Sequence, residues 1–209
     1  MSPTKTFSKS YTDLLQTYIA KPIGLKNTYV FGKIDTENNE CKSYQFLEAW
    51  NLEPETDYTV PLGAGAIVST PIELTRFADA LFSGKLLKPK SLEIMKTIKD
   101  GYGLGLFQIP FYQSISYGHT GAIDGFSGFY SYFPDSKLSY ALTSNGTNYD
   151  NNAISIVVLS AMNDKPYEIP VFTNYNVTSE DLDKYLGVYA SEQIALKITV
   201  TKDGNTLII

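Results

Sequence analysis

Two short runs of residues in this chain have the types and spacing to do chemistry. In Ser2-Pro3-Thr4-Lys5 the serine and lysine stand one helical turn apart, so a helix there would bring the amine beside the hydroxyl. A desolvated, neutral lysine can take the serine proton and leave an oxygen able to attack an acyl carbon. The plain alternative is a frayed amino-terminal tail carrying a chance match. The second run is His119-Thr120-Gly121, which holds the only histidine in the chain and lies between Gly118 and Ala122. With glycine on both sides, little bulk shields the imidazole, so this polar strand end suits a substrate-facing edge; the alternative is a surface imidazole. Cys41 is the sole cysteine, which excludes an internal disulfide. It reads as a small loop residue, because the one histidine belongs to the other motif. One histidine and one cysteine cannot supply a zinc set, and nothing in the chain calls for a metal or another cofactor.

The elements that must position these residues follow from periodicity and turn chemistry. Ser116 to Asn145 reads as three antiparallel strands: one ending at His119-Thr120-Gly121, an Ala122–Gly125 connection, an aromatic strand from Phe126 to Phe133, a Pro134–Lys137 turn and a return from Leu138. The expectation is one sheet from Phe107 to Asn145 in sequential order, with an apolar helix over 152–162 on one face. Thr70, Pro71 and Glu73 open a helix as cap, first position and third position of a capping box, and Gly84 ends it. Its buried stripe is Leu74, Phe77, Ala78 and Leu81. A second helix from Leu87 to Lys99, entered through Pro89, turns Leu92, Met95 and Ile98 inward. Nearer the start, Ser10 to Ala20 is an amphipathic helix that Pro22 and Gly24 stop. Residues 29–59 are polar, with a short strand or two, and Trp50 is expected in a packing role.

Bulk composition excludes several classes. The chain has 209 residues, 43% hydrophobic and 19% charged, ordinary for a protein with a real core. Its net charge is −5 and no basic cluster stands out, which argues against nucleic acid as a partner. No apolar run is long enough for a membrane span, and Met1 to Phe7 lacks the apolar core of a signal peptide. With 16 Tyr and 11 Phe, any cleft should be lined with aromatic rings.

Gly118-His-Thr-Gly-x-x-x-Gly-Phe-Ser127, followed by a Pro-Asp turn and a strand ending at Thr143-Ser-Asn-Gly146, resembles the third motif of the serine β-lactamase and penicillin-binding-protein superfamily, in its class C-like esterase and D-aminopeptidase branch. Gly63-Ala-Gly-Ala-Ile-Val-Ser-Thr70 with its helix, Tyr102-Gly-Leu-Gly105 and Ile19-Ala-Lys-Pro-Ile-Gly-Leu-Lys-Asn-Thr28 are similar to further segments of that family. The resemblance covers about residues 8 to 189. It implies an α+β fold, an antiparallel sheet flanked by helices, β-lactamase-like but incomplete, followed by the start of a small C-terminal β-domain. The expected divisions are 1–162 for the hydrolase domain, 163–178 for a linker and 179–209 for a truncated β segment. Within the last, Leu182–Tyr189 would lead into strands Ile194–Thr201 and Leu207–Ile209 around an Asp203-Gly204 turn.

The resemblance also assigns roles. Ser2 would be the nucleophile and Lys5 its base, the Ala122 amide would serve the oxyanion hole, and His119, Thr120 and Gly121 would bind the polar end of a small-molecule or peptide acyl substrate. It suggests a periplasmic or secreted setting. One departure bears on activity. In the family a helical subdomain follows the Ser-x-x-Lys helix and supplies a Tyr-x-Asn or Tyr-x-Ser motif, whereas here only Thr6 to Lys9 stand in that interval. The one Tyr-x-Asn, Tyr149-Asp150-Asn151, comes after the third motif and reads as a helix start. The chain is therefore expected to be either a serine hydrolase with weak or no activity, or a non-catalytic binding module that keeps the cleft wall. The missing N-terminal strands would leave a sheet edge open to self-association.

Overall fold

The computed structural model describes residues 8–57, 59–99, 101–169, 177–190 and 197–209. They fall into two compact units, Met1–Val158 and Leu159–Ile209.

In the first unit Ser10 caps the opening helix, its Oγ accepting the Asp13 N–H at 3.0 Å. This helical run, α1, passes from an α segment at Tyr11–Leu15 through a π turn at Gln16–Ala20 to a last α turn at Lys21–Ile23. It thus continues through Pro22, where the sequence pattern expects a stop. The wide π turn accounts for the difference: the Lys21 N–H reaches back to the Gln16 carbonyl, and the proline ring finds room in the loosened turn. Gly24, at φ +71°, ends the run.

Strands β1 (Tyr29–Val30) and β4 (Ile67–Val68) pair, while β2 (Tyr44–Phe46) and β3 (Trp50–Leu52) form a small hairpin between them in the chain. Trp50 is half exposed, its ring edge-on to Phe46 at 5.2 Å.

Helix α2 (Pro71–Phe82) starts as its capping signals require, with the Glu73 N–H donating to Thr70 Oγ1 at 3.2 Å. The Glu73 carboxylate does not turn back to the cap, as a full capping box would have it. It is buried and crosses to the segment after α1, accepting from the Lys26 and Asn27 N–H groups and from Thr28 Oγ1 at 2.8, 3.0 and 2.6 Å. Helix α3 (Pro89–Lys96) stops before Ile98, because Thr97 turns to extended backbone and its hydroxyl donates to the Glu93 carbonyl.

The main sheet contains β5 (Phe107–Phe111), β6 (Ser114–Ile123), β7 (Phe126–Phe133) and β8 (Leu138–Ser144), antiparallel and in sequential order. Tyr117 pairs with Tyr132 and His119 with Tyr130, so the expected strand pairing is the one observed. Strand β6 runs two residues beyond Gly121, to Ile123, and the turn is only Asp124-Gly125. Asp124 takes a φ of +52°, and its carboxylate accepts the Thr56 N–H at 3.1 Å, which ties down the turn.

Side chains alternate across this sheet. On one face Tyr117, Tyr130 and Tyr132 meet α2, with Phe82 stacked on Tyr132 at 4.5 Å and Phe77 edge-on to Tyr130 at 5.7 Å. On the other, Tyr140 donates to Ser155 Oγ at 3.1 Å in helix α4 (Asn151–Met162), and Asn151 Nδ2 donates to Ser127 Oγ at 2.8 Å. The helix expected over 152–162 therefore lies on this face. No helix among the described residues is long and apolar enough to cross a membrane.

In the second unit a 3-10 turn at Glu180–Tyr185 leads into β9 (Gly187–Ala190), β10 (Lys197–Asp203) and β11 (Thr206–Ile208), an antiparallel sheet in the order β11-β10-β9. Lys202 ties the turn to the sheet through the Ser179 carbonyl, at 2.9 Å, and the Asp183 carboxylate. Of the strand expected at Ile194–Thr201, the first three residues lie outside the described residues.

Candidate active site

The site begins with how β6 presents its backbone. In antiparallel pairs, consecutive residues aim their N–H and C=O groups alternately at the two neighbouring strands. Two-residue turns close both hairpins, at Tyr112-Gln113 and at Asp124-Gly125, so Phe111 with Ser114 and Ile123 with Phe126 are the hydrogen-bonded closing pairs. Counting inward from either turn gives the same parity: even-numbered residues of β6 face β5 and odd-numbered ones face β7. Pro110, which has no N–H, sits at a position that needs none on this side.

Strand β5 reaches only as far as Gly118, opposite Phe107. Beyond it, the main-chain groups of Thr120 and Ala122 are directed at a notch in the sheet edge. The Ala122 N–H is thus a donor aimed at the side where β5 has stopped, and Thr120, Gly121 and Ala122 are exposed.

His119 points to the α2 face, half-buried among aromatic rings. Phe107 lies 4.8 Å from it, centroid to centroid, and Tyr102 stands edge-on at 5.8 Å. Its Nδ1 lies 2.5 Å from the Thr120 carbonyl oxygen, and its Nε2 is hydrogen-bonded to the Tyr102 hydroxyl. A carbonyl only accepts, so Nδ1 carries a proton, and in the neutral ring Nε2 accepts from Tyr102.

Tyr102 is held for this contact by a knot of backbone. It bridges both Lys99 and Phe107, and Gly103 N–H closes on the Leu106 carbonyl at 2.8 Å. A side chain at Gly103 would meet the Met95 carbonyl oxygen at 2.5 Å, so this tight loop needs glycine. The family-like segment Tyr102–Gly105 lies in this loop, and β5 starts at Phe107. Sequence reasoning missed Tyr102 as a site residue; the flanking glycines of Gly101-Tyr-Gly103 are the signal that could have marked a tyrosine held on bare backbone.

Tyr130, opposite His119, has its phenol pushed up to about 12 by burial, with Tyr102 adding to the effect.

The same end of the sheet carries the β2–β3 hairpin. Tyr44 N–H donates to the Asn145 carbonyl at 2.8 Å, and Gly125 N–H donates to Ser43 Oγ at 3.1 Å. At both Gly125 and Gly146 an added Cβ would run into the Tyr44 backbone, at 2.5 and 2.7 Å. Exposed Phe46, Leu47 and Trp50 thereby stand at the sheet end that holds Ala122. Ser2 and Lys5 lie outside the described residues. The structure thus brings His119, Thr120, Gly121 and Ala122 together with Tyr102 at one notch. Among the described residues no group of three or more His, Cys, Asp or Glu side chains gathers as a metal site.

A family model described as Beta-lactamase matches residues 4–161. Over 162 residues the chain is 28% identical to a putative penicillin-binding protein, PbpX, of Bacillus subtilis (strain 168), covering 76% of this chain and 39% of that protein. A solved D-amino acid amidase from Ochrobactrum anthropi SV3, in complex with D-phenylalanine, superposes with a TM-score of 0.62 at 27% identity, covering 76% of this chain and 56% of the amidase. An octameric penicillin-binding protein homologue from Pyrococcus abyssi shares the fold, with a TM-score of 0.66 at 23% identity over 98% of this chain and 48% of that one. The chain spans about two fifths of the curated relative and about half of each of these solved chains. The match over residues 4–161, about three quarters of the chain, makes it a member of the beta-lactamase family.

Proposed function

We propose that this chain belongs to an acyl-serine hydrolase acting on an ester, an amide or a D-amino-acid peptide. Ser2 Oγ attacks the acyl carbon while Lys5 takes its proton. The bond to the leaving group then breaks, the leaving group receives that proton, and water later releases the acyl group from Ser2. The Ala122 N–H faces the developing oxyanion, and His119, Thr120 and Gly121 meet the polar end of the substrate. The observation that carries this reading is the notch itself: β5 stops where the Ala122 amide and the His119 imidazole need an open edge.

Turnover by this chain is expected to be very weak or absent. No Tyr-x-Asn motif stands between Lys5 and Tyr11, and losing one member of a catalytic unit costs several orders of magnitude in rate. The test is hydrolysis of a p-nitrophenyl ester and of D-phenylalanine amide. Any activity should vanish in both Ser2→Ala and His119→Ala; activity that survives Ser2→Ala would place the chemistry elsewhere. The second reading, a binding module with the same cleft wall, is favoured by that missing motif. It predicts ligand binding through His119 with no covalent acyl-enzyme.

Self-association is part of the proposal. Strand β8 ends the main sheet, and among the described residues no strand pairs with its outer side. Such a row of main-chain groups is a template for another strand. Light scattering across the micromolar range should show concentration-dependent association, and a monomer throughout would contradict it.

A further inference from the structure

We infer that the groove between α3 and the β7–β8 turn is a second small-molecule site, which takes an aryl carboxylate, an aromatic ring carrying one carboxylate group. This site is separate from the notch and does not rest on the acyl-serine reading.

The cavity there measures about 350 Å3, inside the range of small-molecule sites, which begins at about 300 Å3. None of the residues that line it belongs to the notch. On β7 it begins at Tyr132, whereas Ala122 pairs with Ser127, five residues earlier and roughly 16 Å away at the rise of a strand.

The lining is largely apolar and stiff. Pro89 and Leu92 come from α3 and Pro134 from the turn after β7. Phe82, at the end of α2, is stacked on Tyr132 at 4.5 Å with the two rings 11° from parallel. Prolines and stacked rings have little freedom left to lose when a flat ring packs against them.

The polar groups then decide what the ring must carry. Tyr132 is nine-tenths buried, yet its hydroxyl has no hydrogen-bond partner among the described residues. Buried phenols ordinarily find one, as Tyr140 on the other face of the sheet does with Ser155. Lys137, in the turn, pairs with no carboxylate among the described residues. Lys96 is already engaged, with the Glu93 carboxylate 2.7 Å from its ammonium and the Tyr117 ring centred 5.6 Å from it. The lining thus sets two ammonium groups against one carboxylate, an excess of one positive charge on a chain whose net charge is −5. A phenol can donate and an ammonium can only donate. An anionic acceptor answers both, and a single carboxylate matches the single charge in excess.

The test is titration of the full chain with β-naphthoate, followed by calorimetry and by backbone amide resonances. Binding should move the amide signals of Ser83, Gly84 and Lys137. β-Naphthamide keeps the ring without the charge and should bind at least about tenfold more weakly. Tyr132→Phe keeps the stack on Phe82 but removes the hydroxyl, and should weaken naphthoate binding about tenfold. Lys137→Gln, at an exposed position, should weaken it about threefold, and that variant tests the site even if Tyr132→Phe fails to fold. His119→Ala should bind naphthoate as the wild-type chain does. Equal affinity for the amide and the acid, or affinity unchanged in both lining variants, would overturn the carboxylate assignment. Binding lost in His119→Ala would put the probe in the notch and overturn a second site. No response to naphthoate in the millimolar range would overturn the site altogether. None of these readouts depends on turnover or on Ser2.

Discussion

Gly118→Ala is expected to cost more than about 4 kcal/mol, beyond the ordinary range for a single substitution. A Cβ built at Gly118 falls 1.8 Å from the Tyr130 carbonyl oxygen and 2.8 Å from the Ser131 Cα. Both contacts are with main chain in the middle of β7, so no side-chain rotation relieves them. The variant must push β6 away from β7 at the Gly118–Ser131 pair, in the centre of the sheet. Ser131 is fully buried there, which leaves nowhere for its strand to retreat. Since whole domains hold only about 5–15 kcal/mol, much of the stability would go. Urea unfolding followed by circular dichroism checks this, and a loss below about 1 kcal/mol would show that the strands separate cheaply. His119 is the next residue, so Gly118 also fixes the register on which the notch depends.

Glu73→Ala should destabilise the first unit by roughly 3–5 kcal/mol. It would leave a cavity beside the buried Thr28 hydroxyl and strand that hydroxyl and two part-buried backbone N–H groups, where an unsatisfied buried donor costs about 1–3 kcal/mol and a partly buried one less. This carboxylate joins α2 to the chain after α1 across 47 positions of sequence. Its pKa reflects the same contacts. Burial alone would raise it, but the Thr28 hydroxyl, the Asn27 and Lys26 amides and the Arg76 charge together hold it below the usual 4.5. A carboxyl whose folded pKa is depressed contributes stability above its unfolded pKa and loses it as pH falls through the folded value. Stability should accordingly drop below about pH 4.5, and Glu73→Gln, which cannot titrate, should flatten that acid limb. Equal acid sensitivity in the two proteins would assign the effect to other carboxylates.

The sequence makes the main sheet legible because its signals are local. Alternation, a Pro-Asp turn and short connections specify β5 to β8 almost without tertiary information, and Thr70-Pro71 marks the start of α2. Glu73 shows the limit of local rules: a capping box and a long-range clamp need the same residue at the same position, and only packing against Asn27 and Thr28 decides between them. Pro22 is similar, since a π turn upstream removes the clash that would otherwise end the helix. At the site, His119 to Ala122 stand out as a motif. The notch does not, because it depends on where β5 stops. Nor does Tyr102, whose role arises from a bridge to Phe107 that periodicity cannot reveal.

Covalent capture tests the acyl-serine proposal most directly. The full chain would be treated with a fluorophosphonate, its intact mass measured and the adduct mapped by peptide sequencing. The proposal predicts one adduct, on Ser2, absent in Ser2→Ala and in Lys5→Ala and slowed in His119→Ala. An unmodified chain would contradict it and leave the binding module as the function of this notch, and an adduct that persists in Ser2→Ala would contradict it by placing the nucleophile elsewhere.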